Sequence, residues 1–128
     1  MKGPVQRADV FYAPFGEGKP RPVVVVSRDD LNRGDYVVVV PFTTQKLDNR
    51  GGLQSCVLFR AGESGLARDC VAKTDEITFV SITELDWKRG RVGRVLAPRM
   101  NEIVRAIRYM IRDDDLQGPS GEQGQSNV

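Results

Sequence analysis

Two runs of valine constrain this chain more than any other feature. Val23-Val24-Val25-Val26 and Val37-Val38-Val39-Val40 stand ten residues apart. Valine's branched Cβ stiffens χ1 and disfavours helix, and neither run alternates with polar residues, so each reads as a strand buried on both faces. The segment 28–35 between them is polar and too short for a crossover helix, which makes the two strands antiparallel neighbours. The first run is entered through a stiff Pro20-Arg21-Pro22 corner, and the second leaves through Thr43 and Thr44. A guanidinium and paired hydroxyls at the ends of rigid elements suit the grip of a phosphodiester.

Shorter strands are expected around this pair: 8–12, 56–59, 70–74, 77–81 and 91–96, the fourth set off from the third by Asp75-Glu76. Residues 14–20 and 45–52 read as loops rich in turn formers. Thr83-Glu84-Leu85 suggests a single helical turn. A terminal helix starts at Pro98, which suits a first turn. Met100, Ile103, Val104, Ile107, Met110 and Ile111 form its apolar stripe, with Arg105, Arg108 and Arg112 opposite. Six or seven short strands and one helix predict a mainly β fold with α, a small half-open or closed β-barrel capped by the C-terminal helix. Residues 1–112 make one domain. Residues 113–128, rich in Gln, Gly and Ser and led by Asp113-Asp114-Asp115, read as a disordered acidic tail.

The chain's formal charge of +2 hides an asymmetry, because the nineteen bases and thirteen acids of residues 1–112 give +6. Arginine outnumbers lysine fourteen to five, a bias that favours bidentate phosphate recognition. There is no histidine, which excludes Ser-His-Asp and Cys-His nucleophilic sites. Two cysteines cannot assemble a zinc site, so no metal or other cofactor is expected. A hairpin centred near Glu63 would set Cys56 opposite Cys70. No apolar run approaches the roughly 20 residues of a membrane span, and no signal-peptide core follows Met1; a cytoplasmic address without membrane contact is expected.

Residues 21–27, Asn32-Arg33 and residues 39–45, followed by residues 65–72 and Asp75-Glu76-Ile77-Thr78, together resemble the signature of the MazF/PemK/Kid toxins of bacterial type II toxin–antitoxin systems. The resemblance runs from about Ala8 to Ile111. It implies an SH3-like barrel with a C-terminal helix, a homodimer, and metal-independent cleavage of single-stranded RNA with the 2′-hydroxyl as internal nucleophile. It also implies a cognate antitoxin whose disordered tail fills the RNA groove. Ala8 stands where the family usually has Gly, and Lys73 where one of its two catalytic layouts has Arg. The other layout matches Arg21 and Thr43.

On that reading Arg21, Thr43 and Asp75 are the catalytic candidates. Arg21 would stabilise charge on the phosphate and Thr43 would orient it. Asp75 or Glu17 would accept the hydroxyl proton. Phe15, Glu17, Lys19, Thr44, Gln45 and Lys73 are the candidate RNA contacts. Without the resemblance, Arg21 reads as a strand-edge arginine in a surface ion pair, and Thr43 as a strand-end hydroxyl satisfying nearby backbone. Two other functions fit the same barrel: a non-cleaving toxin that binds a protein target, and a nucleic-acid-binding SH3-like module. Few exposed aromatics are expected to serve as stacking platforms for the latter.

Overall fold

The valine strands form the centre of the molecule. In the structure, a computed structural model, residues 4–16 and 18–111 are described; Glu17, Arg112 and the expected tail 113–128 lie outside them. The seven strands are β1 (Asp9–Ala13), β2 (Arg21–Val25), β3 (Tyr36–Thr43), β4 (Cys56–Phe59), β5 (Cys70–Lys73), β6 (Thr78–Ser81) and β7 (Gly93–Arg94). A short helix α1 (Leu47–Arg50) precedes β4, and α2 (Ala97–Met110) follows β7. The order across the sheet is β4-β5-β3-β2-β1-β7, with β6 also on β3. All pairings are antiparallel. The result is a curled sheet, a half-barrel closed by the C-terminal helix.

β3 holds this arrangement together. One edge pairs with β2 through Val23↔Pro41, Val24↔Val40 and Val25↔Val39. The other edge takes β6 along Tyr36–Val39 and β5 at Phe42 and Thr43. Between β5 and β6 the chain leaves the ladder in a 3-10 turn, Thr74–Glu76. Pro41, which has no N–H to donate, stands opposite that interruption, so no ladder bond is lost on that edge.

The alternate valines feed two cores. Val10, Val24, Val40 and Phe42 face one, with Phe59, Val57 and the α2 residues Met100, Ile103 and Ala106. Phe11, Val23, Val25, Val37 and Val39 face the other, with Leu85 and the partly buried Trp87. Phe42 and Phe59 meet edge to face at 5.2 Å, and Trp87 meets Phe11 at 5.1 Å while its indole N–H donates to the Ile82 carbonyl at 2.8 Å. Each valine so enclosed contributes about 1.5–3 kcal/mol by its removal from water. Val38 is only half-buried and Tyr36 is exposed, so the second run is not enclosed along its whole length.

Several sequence expectations are corrected. The α2 stripe includes Ala106, while Ile111 ends up 57% exposed because the helix stops at Met110. The loop 45–52 contains α1. The expected last strand, 91–96, shrinks to two residues. Cys56 pairs with Lys73 and Cys70 with Phe59, three positions out of register, so the two thiols are not cross-strand partners; both are free. Ala8, the substitute for the usual family glycine, carries φ 81. Its N–H donates to Val25 and its carbonyl accepts from Val95, bonds that hold this residue in a left-handed conformation costly for any side chain.

Two backbones touch where β7 passes the turn after β4. A Cβ at Gly93 would lie 2.0 Å from the Ser64 carbonyl oxygen, and backbone cannot yield as a side-chain tip can. Gly93→Ala is expected to lower stability by about 3 kcal/mol, measured by urea denaturation. Burial pushes the Cys70 thiol up to about 12. Its neutral form is favoured by folding, so this contribution is intact below the ordinary thiol value near 9 and is lost as pH rises from there toward 12. Cys70→Ala is expected to flatten the alkaline fall in melting temperature over that interval.

Candidate active site

Arg21 opens β2 opposite Ala13, immediately after the loop 14–20. It lies on the same sheet face as Val23 and Val25, because side chains two residues apart along a strand share a face. Continued by two residues, the β2–β3 register would set Arg21 against Thr43, but the ladder ends at Val23↔Pro41 as β3 turns to meet β5. The guanidinium carbon sits 5.3 Å from the centre of the Phe15 ring. Arg21 Nη1 donates to Glu76 Oε1 at 2.9 Å.

Glu76 comes from the opposite edge of β3, at the end of the 3-10 turn that separates β5 from β6. Its other carboxylate oxygen, Oε2, lies 3.7 Å from Lys73 Nζ. Lys73 in turn binds Asp75 at 2.9 Å. The four side chains form an alternating line of charge, Arg21–Glu76–Lys73–Asp75. Arg21 and Glu76 keep about a third of their side chains exposed, at 34% and 35%, so the pair is reachable by a ligand. A shallow groove lined by Pro14, Phe15, Gly16, Glu76, Thr78 and Phe79 runs alongside.

The turn beneath this line is fixed from below. Thr74 is fully buried. Its N–H and its hydroxyl both donate to the Ser55 carbonyl, at 3.0 and 2.7 Å. Ile77 N–H closes the turn on the Thr74 carbonyl at 3.1 Å.

Of the residues singled out in the sequence, Phe15, Arg21, Lys73 and Asp75 are linked in this cluster. Thr43 is buried at the end of β3, where its hydroxyl accepts from the Gln45 N–H at 3.2 Å and from Arg50 Nη1 at 3.5 Å. Arg50 also donates to the Gln45 carbonyl at 3.1 Å, so the Thr43 loop is tied to α1. Thr44 faces a separate cleft of about 110 Å³ with Tyr12, Pro22, Leu66, Ala67, Arg68 and Cys70. Lys19 and Gln45 are exposed. Glu17 lies outside the described residues. No group of three or more His, Cys, Asp or Glu among the described residues could hold a metal ion. No described helix is long and apolar enough to cross a membrane.

Sequence reasoning passed over Glu76 and Arg50. Asp75 is the candidate catalytic residue of the sequence reading, while Glu76 enters there only as its neighbour in the acidic pair that separates two strands. The available signal was spacing: in a 3-10 turn residues i and i+3 eclipse, which brings Lys73 and Glu76 to one side.

Comparison with known proteins bears on the family and the fold. The family model for the PemK-like, MazF-like toxins of type II toxin–antitoxin systems matches residues 6–111. Among solved structures, a mycobacterial endoribonuclease in complex with its cognate antitoxin is 25% identical, with 84% of this chain and 95% of that one covered at a TM-score of 0.70. The Mycobacterium tuberculosis toxin MazF-mt6 is 23% identical, with 81% and 96% covered at 0.68. MazF from Deinococcus radiodurans shares the fold at 17% identity, with 84% and 96% covered at 0.62. No curated protein matches significantly in sequence. With the family model matched along nearly the whole described chain, and the half-barrel and C-terminal helix present as in MazF toxins, the chain belongs to the PemK/MazF family of type II toxin–antitoxin toxins.

Proposed function

We propose that this toxin is a metal-independent endoribonuclease that cleaves single-stranded RNA by attack of a 2′-hydroxyl on the adjacent phosphodiester. The observation that carries the reading is Arg21: a guanidinium at the mouth of a rigid strand, one third exposed, with Nη1 as its paired nitrogen among the described residues. The remaining edge of the fork suits two phosphoryl oxygens. As negative charge builds on those oxygens in the transition state, a preorganised cation stabilises it more than it stabilises the ground state.

Thr43 supports the arrangement as the orienting residue, anchored against Gln45 and Arg50 at the neighbouring strand end. Lys73 adds a second cation close to the phosphate, and Asp75 holds that cation in place. Phe15, packed on Arg21, offers a ring face for an unstacked base. Glu17, Lys19, Thr44 and Gln45 flank Arg21 and Thr43 in sequence and are assigned to the RNA path. Histidine, the usual proton carrier near neutrality, is absent from the chain, so turnover should be slow beside histidine ribonucleases. The cellular partner is a cognate antitoxin, and an acidic disordered segment of it would pair with Lys19 and the +6 charge of residues 1–112 while covering Arg21. The working form is a homodimer in the cytoplasm.

Purified protein is expected to cut a long single-stranded RNA in the presence of EDTA, leaving a 2′,3′-cyclic phosphate or its hydrolysis product. Arg21→Ala should lower the rate about 10²–10³-fold. Cleavage that vanishes in chelator and returns with Mg²⁺ would refute the mechanism. Absence of cleavage under both conditions would favour the protein-directed toxin. Light scattering at micromolar concentration is expected to give about twice the 14.2 kDa chain mass.

A further inference from the structure

We infer that Glu76 is the general base of this site, the group that takes the proton from the attacking 2′-hydroxyl. The inference rests on the ribonuclease reading above and names the one role which that reading leaves open. Three observations carry it. The first is contact: Glu76 Oε1 is 2.9 Å from Arg21 Nη1. A phosphate gripped by the remaining edge of the Arg21 fork would lie next to the Glu76 carboxylate, which would then be the carboxylate nearest the ribose hydroxyl that attacks it. A base must come within about 2.6–3.2 Å of the proton it removes, and Glu76 is the described carboxylate placed for that.

The second is the engagement of the competing group. Both oxygens of Asp75 lie 2.9 Å from Lys73 Nζ, and its side chain is half exposed. Asp75 holds Lys73, while the carboxylate bonded to the Arg21 fork is that of Glu76. The third is rigidity. Glu76 closes a turn whose first residue is fully buried and doubly bonded to Ser55, so its backbone is fixed relative to the β5–β6 edge. A catalytic group on a fixed element keeps its aim without reordering at each turnover.

The step balances as follows. The 2′-oxygen gives its proton to a Glu76 oxygen and forms the O2′–P bond. The P–O5′ bond breaks, and the departing 5′-oxygen takes a proton from water. Glu76 then returns its proton to the hydroxide so formed. The products are a 2′,3′-cyclic phosphate and a 5′-hydroxyl, with no net proton change. Arg21 stays cationic throughout, and Lys73 Nζ lies 3.7 Å from Oε2, on the side of the carboxylate away from the Arg21 contact.

The test compares wild type, E76Q and E76A on one long single-stranded RNA in EDTA. Affinity is measured separately with a fully 2′-O-methylated copy that cannot be cut. E76Q retains a hydrogen-bond acceptor for Arg21 but no basic oxygen. It is expected to lower the cleavage rate about 10²–10⁴-fold while the affinity for the methylated RNA changes less than threefold. In E76A, added formate is expected to restore part of the rate, an effect that loss of a merely structural carboxylate would not produce. A wild-type protein that cuts RNA alongside an E76Q variant that cuts at nearly the same rate, or faster, would overturn the assignment. Failure of E76A to respond to formate, with its RNA affinity intact, would also count against it. If the wild type itself does not cut, the ribonuclease reading has failed before Glu76 is tested.

Discussion

Burial of valine on both faces of β2 and β3 is the constraint from which the rest follows. A strand that hides one face needs a single layer against it. These strands hide two, so the sheet must curl and receive cover from both sides. α2 supplies Met100, Ile103 and Ala106 on one side, and Phe11, Leu85 and Trp87 close the other. The polar ends of the same strands then have only one place to go, the rim of the half-barrel. Arg21 and Thr43 are there because the valines preceding or following them are not.

Much of this was legible in the sequence because it depends on local chemistry. Valine runs, turn-forming loops and a 3.6-residue apolar stripe gave the mainly β class and the terminal helix, and β4 was expected residue for residue. What escaped depended on tertiary geometry. β7 shrank to two residues because its pairing with β1 is brief. Ala106 was passed over for Ile111 because helix length, and not residue type, decided which turn reached the core. The cysteine pairing failed on register, which the ten-residue connection between Phe59 and Cys70 can shift without any trace in composition. At the candidate site, Arg21, Phe15, Lys73 and Asp75 were visible as residue types. That Glu76 would reach across β3 to Arg21 was not, since the contact spans fifty-five positions.

The Arg21–Glu76–Lys73–Asp75 line is electrically neutral as a group. The site therefore contributes directional bonds more than long-range attraction, and the folded part's excess of arginine must supply the latter. Such a division separates two properties often merged: how fast an anionic polymer arrives, which salt governs, and how it is held once there, which fork geometry governs.

β3 has a consequence for motion. It is bonded along both edges, to β2 on one side and to β6 and then β5 on the other. The half-barrel consequently has no seam along which one half can swing from the other while each stays intact. Breathing is confined to the strands that, among the described residues, are paired on one edge only: β4, β6 and β7. Amide protons along the middle of β3 should then exchange with solvent only when the whole domain opens, and any ligand held at the rim is held by a frame that does not flex beneath it.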